Sequence, residues 1–247
     1  MKLEEYNKVL VKVCFEKKLF LKKIGKVKNY PIFAIRNSNK NNLKTLVFCA
    51  GIHGDEVAPG LAMVDFIRSF NFNSIKKLNV IFIPVANPVG FSLNRRRGYG
   101  GLDMNRHFSD KNLKGENKII MDYLKKFKIY FFCSLHEDSD EDKFYLYGFE
   151  GVNGEIYKEI IKISKRFFGI KTGCVRFKDR CLVGHNSKDG VIIIKRGDKN
   201  DGSIESTLFE KGIPFLVCTE TPMKQDMKER MSLNKKIMKK TIEFFLR

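Results

Sequence analysis

The residues best suited to chemistry lie in a short loop that follows the apolar run at 45–48. In this loop, His53 and Glu56 stand three residues apart, and Gly51 and Gly54 let the backbone turn sharply between a strand and a helix. Histidine and glutamate are two of the three ligands in a His₂Glu set, which holds a catalytic zinc ion and leaves one coordination position open. The rest of the chain must then supply a third ligand, a base and a substrate clamp.

Two further residues of the same types follow later strand-like segments. His136 and Glu220 each come directly after a continuous apolar run. The carboxyl ends of the strands in an open parallel sheet open onto one crevice, so residues far apart in the sequence can meet there. A lone histidine is more often an ordinary loop residue, but four such residues at strand ends favour a shared site. The other two histidines, His107 and His185, lie in loops without a matching carboxylate, and we leave both unassigned.

The elements that must position these residues alternate between strands and helices. Apolar runs and 3.6-residue periodicity predict strands at 30–36, 44–49, 79–85, 129–135, 191–194 and 213–219, and helices at 57–70, 116–127, 155–168 and from about 225 to the end. This order predicts an α/β fold in which a single domain, 1–247, has a mostly parallel mixed sheet with helices on both faces. Residues 1–29 are expected to form an N-terminal extension of uncertain structure. The polar, glycine-rich stretch 87–113 is longer than a simple connector, which favours a functional loop.

Composition and charge narrow the class of protein. The net charge is +19, but the lysines are spread along the chain and form no basic tail. A solvated lysine-rich surface is therefore favoured over attraction of anionic substrates, and both are favoured over nucleic-acid binding. We find no segment long enough to span a membrane and no signal peptide. Cys49, Cys133 and Cys218 lie in apolar runs, which predicts buried thiols of a reduced, cytoplasmic protein rather than a disulfide framework.

Five short motifs connect the candidate residues. They are His53-Gly54-Asp55-Glu56, Asn87-Pro88, Gly101-Leu102-Asp103-Met104-Asn105-Arg106-His107-Phe108, Leu135-His136 and Thr219-Glu220-Thr221-Pro222. In this order they resemble the zinc carboxypeptidase superfamily of the carboxypeptidase A type. That superfamily also contains murein-peptide amidases and, more distantly, aspartoacylase and succinylglutamate desuccinylase. The similarity runs from about Tyr30 to the C-terminus and implies a zinc-carboxypeptidase-like fold.

The resemblance implies a metal site with one zinc ion per chain, bound by His53, Glu56 and His136. Three protein ligands leave one position for water, whose pKa falls to about 7 on the metal. Glu220 would be the general base and acid, taking the proton of this water and passing it to the leaving nitrogen. Asp103 is either a group that orients a ligand or a turn residue.

The resemblance also implies a clamp for a free carboxylate of the substrate, formed by Asn105 and Arg106. An arginine fork matches a carboxylate through two parallel hydrogen bonds, which a lysine cannot reproduce. An arginine upstream of this pair would stabilise the developing oxyanion. Arg95, Arg96 and Arg97 are all candidates, and the spacing favours Arg96.

Two departures from the carboxypeptidase pattern bear on the substrate. No tyrosine lies between Tyr157 and Glu220, where carboxypeptidases of this type carry a closing tyrosine. The chain also ends shortly after Glu220, without the β-rich domain that aspartoacylase-like relatives carry, which favours the peptidase and amidase side. The acidic run 137–142 would either contact a cationic group of the substrate or be a solvated loop.

We therefore expect a zinc-dependent hydrolase that cleaves an amide bond next to a free carboxylate, as a carboxypeptidase or a murein-peptide amidase does. The first alternative is a deacylase of small N-acyl amino acids, of the aspartoacylase or succinylglutamate desuccinylase type. The second alternative is a non-catalytic, basic binding protein that retains the fold. The oligomeric state and the metal loaded in the cell are left open. The intact ligand set favours an enzyme over the binding protein.

Overall fold

A computed structural model describes residues 2–38, 43–178 and 180–247, and its main feature is an eight-stranded mixed sheet. The strands are β1 (Phe20–Val27), β2 (Tyr30–Arg36), β3 (Lys44–Ala50), β4 (Leu78–Ile83), β5 (Ile129–Asp138), β6 (Tyr145–Phe149), β7 (Gly173–Phe177), β8 (Arg180–Ser187), β9 (Val191–Ile194) and β10 (Phe215–Pro222). The helices are α1 (Leu3–Glu16), α2 (Val57–Ser69), α3 (Pro88–Ser92), α4 (Gly115–Leu124), α5 (Glu155–Phe168), α6 (Ile204–Glu210) and α7 (Met227–Leu246). Strands β7 and β8 form a separate antiparallel hairpin.

The strand order explains where a site can form. Across the sheet the strands follow the order β1-β2-β4-β3-β5-β10-β6-β9, and the central group β4-β3-β5-β10 is parallel. The order reverses between β3 and β5. From β3 the chain continues to β4 on one side, and from β5 it continues to β6 and β10 on the other side. In open α/β sheets, ligands bind at the carboxyl ends of the strands that flank such a point. His53 follows β3 and His136 lies near the end of β5, so the topology places both there.

Helices cover both faces of the sheet. One buried cluster contains side chains of α1, α2, α5 and α7, and the other contains side chains of α4 and α6. Successive residues of β5 alternate between them: Phe131 belongs to the first cluster and Phe132 to the second, and neither is exposed to solvent. Burial on both faces is the reason why the central strands read as continuous apolar runs. The predicted α/β fold, a mostly parallel mixed sheet with helices on both faces, is confirmed.

The N-terminal region belongs to this fold. The hydroxyl of Tyr6, on α1, donates a hydrogen bond of 2.8 Å to the carbonyl of Gly60 on α2, and β1 pairs with β2 along its length. The expected extension at 1–29 is therefore a covering helix and an edge strand over its described part. Strand β1 escaped prediction because lysines interrupt its apolar pattern and most of its residues are exposed or half-buried.

The sequence also did not predict several elements between β5 and β10, namely β6, the β7–β8 hairpin and α6. They are short, and the hairpin is largely exposed, so no extended apolar period marks them. Pairing with β10 stabilises β6, and Ser203 caps α6 by accepting a hydrogen bond of 3.1 Å from the backbone of Ser206. In the expected long loop, α3 and two short 3-10 turns give the chain a defined course.

The cysteines follow the prediction in the sheet and depart from it in the hairpin. Cys49, Cys133 and Cys218 are free and buried, as expected for thiols in apolar strands. Cys174 and Cys181, however, form a disulfide, because antiparallel pairing of β7 and β8 brings their Cα atoms to 5.6 Å. The cytoplasmic location stays a prediction. None of the described helices has both the length and the apolar character needed to cross a bilayer.

Candidate metal centre

The loop between β3 and α2 is held in place by two glycines. Gly51 has a φ of 62°, in the left-handed region that glycine adopts at little cost. Gly54 is required for a different reason, because a Cβ there would lie 2.0 Å from the carbonyl carbon of Gly90. The backbone N–H of Asn87 donates to the carbonyl of Gly51 at 2.8 Å and joins the loop to the chain after β4. These contacts fix the backbone on both sides of His53.

His53, Glu56 and His136 form a buried cluster between β3 and β5. Nδ1 of His53 lies 2.5 Å from one carboxylate oxygen of Glu56, and Nδ1 of His136 lies 2.8 Å from the other. One donor atom from each side chain lies within 4.8 Å of the other two. The exposed fractions are 4%, 3% and 2%, so water competes little for these atoms. The fold thus joins the three residues that the sequence singled out as ligands.

The electrostatics of this cluster suit a divalent cation. Burial opposes ionisation of Glu56, but the imidazoles of His53 and His136 together hold its pKa well below its usual range. Burial likewise lowers the pKa of His136, while Glu56 and Glu205 raise it well above its usual value. A positive charge beside this buried carboxylate is favourable, and either a protonated imidazole or a metal ion bound by neutral imidazoles can supply it. Two imidazoles and one carboxylate are a donor set that fits zinc.

Asp103 orients two groups of the centre at once. One of its carboxylate oxygens lies 3.2 Å from Nε2 of His53, and the other accepts a hydrogen bond of 3.0 Å from Nε of Arg96. A terminal guanidinium nitrogen of Arg96 lies 3.9 Å from Glu56. Asp103 therefore does more than shape a turn, although its side chain also accepts a hydrogen bond from the backbone of Asn105.

The other two arginines of the loop turn away from the cluster. Arg95 donates to the carbonyls of Arg97 and Gly98, and Arg97 donates to the carbonyl of Gly101. These contacts stabilise the loop itself. Of the three adjacent arginines, Arg96 is the one whose side chain reaches the cluster.

Glu220 lies beside the second histidine. It is paired with His136 in the register of β10 and β5, and it is partly buried. Burial raises its pKa well above the usual range, and Glu56 and Asp138 raise it further against the attraction of His136 and Arg96. A carboxyl group in these surroundings can take up a proton and release it again when a neighbouring charge changes.

The two residues expected to bind a carboxylate occupy different environments. Asn105 is buried, and both polar atoms of its amide have partners in α6: Nδ2 donates to Glu205 at 3.2 Å and Oδ1 accepts from the backbone of Ile204 at 3.0 Å. Arg106 donates to the carbonyl of Asn105 at 2.6 Å and lies 3.4 Å from Asp201, with 49% of its side chain exposed. Arg106 thus keeps an open face, whereas Asn105 is held within the protein.

Glu205 belongs to the centre although we did not expect it there. It is 3% exposed, and one of its carboxylate oxygens lies 3.5 Å from Nε2 of His136. Its position at the start of a short helix, after a glycine-rich stretch, carries no strand-end signal of the kind that marked the other residues. Only the packing of α6 beneath the sheet end brings it to the histidine.

Two tyrosines of β6 lie on the strand that pairs with β10: Tyr145 opposite Glu220 and Tyr147 opposite Cys218. Tyr145 is paired with Glu220 in the register of β10, and its hydroxyl donates to Asp138 at 2.5 Å. The hydroxyl of Tyr147 lies 2.9 Å from Nδ1 of His185, on β8. The sequence order places no tyrosine just before Glu220, yet antiparallel pairing supplies two from earlier in the chain.

The acidic run 137–142 has internal partners. Glu137 accepts hydrogen bonds from the backbone of Ala58 at 3.0 Å and from Arg230 at 2.6 Å. Glu141 accepts one of 2.7 Å from Lys171. These two buried carboxylates join β5 to α2, to α7 and to the hairpin region. Both are only 4% exposed and bind cationic side chains of the protein itself, so these two residues do not form a solvated loop.

Comparison with known proteins gives a family match that covers strands β3 to β5. The model of the succinylglutamate desuccinylase/aspartoacylase catalytic domain matches residues 42–141, which include His53, Glu56, Arg96, Arg106 and His136. The resemblance to the zinc carboxypeptidase superfamily is confirmed. A search of curated proteins gives no significant match.

Solved structures share the zinc-carboxypeptidase-like fold over nearly the whole chain. A protein from Shewanella denitrificans OS217, provisionally assigned as a metallopeptidase, is 24% identical, with a TM-score of 0.84 over 98% of this chain and 89% of its own. A similarly assigned protein from Shewanella amazonensis SB2B is 22% identical, with a TM-score of 0.83 over 98% and 92%. A metallo-carboxypeptidase from Pseudomonas aeruginosa, in complex with (2-guanidinoethylmercapto)succinic acid, is 13% identical, with a TM-score of 0.73 over 98% and 68%.

Proposed function

We propose that this protein is a zinc-dependent hydrolase that cleaves an amide bond next to a free carboxylate, in a peptide or a murein-derived peptide. The observation that carries the proposal is the buried cluster of His53, Glu56 and His136 with Glu220 beside it. A zinc ion held by these three ligands would supply a Lewis acid and would lower the pKa of a bound water to about 7. The fold and the family match support this class of enzyme.

Glu220 handles the proton in the proposed reaction. Its carboxylate accepts a proton from the attacking water and returns it to the leaving nitrogen as the C–N bond breaks. The products are a carboxylate and an amine, so the balance requires only water. The position of Glu220 favours this role, because it is paired with His136 in the register of β10 and β5 and lies beside the proposed ligands.

Two arginines bind the charges of the substrate in this proposal. Arg96, held by Asp103, stabilises the negative charge that develops on the scissile carbonyl oxygen. Arg106 binds the free carboxylate through its exposed face, and Asn105 holds the backbone beside it. The succinic acid derivative bound by the Pseudomonas aeruginosa enzyme also carries carboxylates, which supports a carboxylate-bearing substrate here.

The family match favours a second candidate, a deacylase of small N-acyl amino acids. Both reactions release an amino acid whose carboxylate contacts Arg106, and they differ in the acyl group, which is either a peptide or a short acid. The two candidates therefore share the metal centre, Glu220 and the carboxylate clamp. A panel of substrates can separate them.

The test uses the purified full chain loaded with one equivalent of zinc. Peptides with a free C-terminus, muropeptides, and N-acetyl and N-succinyl amino acids are each assayed beside a counterpart whose carboxylate is amidated. We expect turnover within one class and a loss of at least about 100-fold in kcat/KM on amidation, as for a lost charge-assisted pair. Equal turnover of amidated substrates would contradict the carboxylate clamp. Absence of bound metal, together with salt-sensitive nucleic-acid binding, would favour the non-catalytic alternative.

A further inference from the structure

Two buried polar atoms at the rear of the metal centre face each other. Nε2 of His136 and Oε1 of Glu205 are 3.5 Å apart, and neither has another hydrogen-bond partner among the described residues. Their side chains are 2% and 3% exposed, so water cannot easily take the place of a partner. Leaving a buried donor and a buried acceptor unpaired is costly, so pairing of these two atoms is favoured. The buried hydroxyl of Ser134 also has no partner in the part of the chain that the structure describes, and it is a further donor available to Glu205.

The chemistry of a histidine ligand indicates which of these two atoms donates the hydrogen bond. Nδ1 of His136 faces Glu56, so Nδ1 is the ring nitrogen that would bind a metal ion held by the three ligands. A neutral imidazole that binds a metal through Nδ1 carries its proton on Nε2. A carboxylate that accepts the Nε2 proton fixes the tautomer and the orientation of the ring, and it strengthens the ligand nitrogen. His53 has an equivalent carboxylate contact, from its Nε2 to Asp103 at 3.2 Å. Glu205 would give His136 the same support.

The second carboxylate oxygen of Glu205 reaches the substrate side of the centre. It accepts a hydrogen bond of 3.2 Å from Asn105, whose own oxygen accepts from the backbone of Ile204 at 3.0 Å. Arg106 follows directly and lies 3.4 Å from Asp201, so the segment 201–205 is docked along 105–106. A single buried carboxylate thus contacts both the ligand shell and the residue that precedes Arg106.

We propose that Glu205 is a positioning residue that holds His136 in its metal-binding tautomer and holds Asn105 against α6. The proposal rests on the metal site of the proposed function, but it does not depend on which amide is cleaved. Donor atoms of His136, Glu205 and Cys218 also lie within 4.8 Å of one another, so a second ion is the competing interpretation. That interpretation would strip both ring protons from His136, which makes it the less favoured of the two.

The first test compares two glutamates of the same helix. Glu205→Gln keeps the size of the side chain but replaces the charged acceptor, whereas Glu210→Gln changes an exposed residue. We expect Glu205→Gln to weaken zinc binding about 10- to 100-fold in competition with a chromophoric chelator, and to shift the visible spectrum of the cobalt-loaded protein. Glu210→Gln should match the wild type in both. Wild-type affinity and spectrum in Glu205→Gln would overturn the proposal.

The second test does not depend on the Glu205→Gln variant, so it holds even if that variant does not fold. In the zinc-loaded wild-type protein with ¹⁵N-labelled histidine, NMR should show His136 bound through Nδ1, with a slowly exchanging proton on Nε2. A His136 without that proton would overturn the proposal, as would two zinc ions per chain of which Cys218→Ser loses one. Neither test uses a substrate, so normal zinc binding without amide cleavage would contradict the proposed function and leave the role of Glu205 intact.

Discussion

Glu220 performs both proton transfers of the proposed reaction, because its carboxylate must accept a proton and then return it. Glu220→Gln preserves the shape of the side chain but cannot accept that proton. We expect kcat to fall about 10²- to 10⁴-fold, the range for loss of a general base. Zinc affinity should stay within a few fold of wild type, because Glu220 is not one of the three ligands. Steady-state kinetics and metal analysis check this, and activity that survives would remove Glu220 as the base.

Arg96 and Arg97 offer a matched pair for the oxyanion role. The Arg96 side chain contacts Asp103 and approaches Glu56, whereas Arg97 donates to a backbone carbonyl of its own loop. We expect Arg96→Ala to lower kcat about 10²- to 10³-fold, as for loss of one oxyanion donor, with a smaller change in KM. Arg97→Ala should retain activity close to wild type. Equal losses in the two variants would mean that loop structure, not charge at the reacting carbonyl, is responsible.

At the scale of elements, the approach of α6 to the 103–108 segment decides whether the site assembles. Gly202 has a φ of 79°, and a Cβ there would lie 2.0 Å from the carbonyl oxygen of Arg106. Gly212, at the other end of α6, has a φ of 77° and open space around it. Both positions would strain an alanine, but only Gly202 also meets a backbone atom.

Gly202→Ala should therefore be the more damaging change. We expect it to raise KM at least about 10-fold by moving α6 and Arg106 apart, since small misplacements cost orders of magnitude. Gly212→Ala should cost about 1 kcal/mol or more of stability from strain at positive φ, with KM unchanged. Thermal unfolding and KM, measured on both variants, separate strain from displacement. Matching values of KM would refute a positioning role for this contact.

The contact between the β7–β8 hairpin and β6 gives a pH-dependent term to stability. Burial lowers the pKa of His185 below its ordinary value of 6.5, and Arg106 lowers it further against the pull of Asp201. The unfolded chain therefore binds a proton at His185 more readily than the folded protein. Above about pH 7 the imidazole is neutral in both states and has no effect on stability, whereas protonation of the unfolded chain lowers the free energy of unfolding as the pH falls through 6.5. We expect the Tm of wild type to fall more steeply than that of His185→Gln between pH 7.5 and pH 5.5. Parallel slopes would show that His185 does not titrate in this way.

At the scale of the whole molecule, the metal joins parts of the chain that lie on different strands. His53 follows β3 and His136 lies on β5, so a bound ion should stabilise the centre of the sheet. A ligand at 100 times its Kd stabilises a fold by about 2.7 kcal/mol, and chelation should lower the Tm accordingly. His136→Gln should abolish this zinc-dependent shift. His107→Gln should keep it, because His107 pairs with Asp110 at the surface. Differential scanning calorimetry with and without chelator measures the shift, and a Tm that ignores zinc in wild type would contradict the site.

The sequence by itself determined the central strands and the three candidate ligands. Strands buried on both faces leave long apolar runs, and a histidine or glutamate directly after such a run is conspicuous. Because parallel strands share one carboxyl edge, His53, His136 and Glu220 could be placed together before any coordinates were known. The same local reasoning predicted the turn at Gly51, whose backbone conformation confirms it.

Only the tertiary structure decided the rest of the site. The choice of Arg96 among three adjacent arginines depends on which side chain reaches Asp103. The placement of Glu205 behind His136, and of Tyr147 against His185, depends on how short elements dock on the sheet. Contacts between segments so far apart in the chain leave no periodic pattern in either segment. Propensity and spacing are local properties, whereas the residues that support the ligands are held in place by packing between distant parts of the chain.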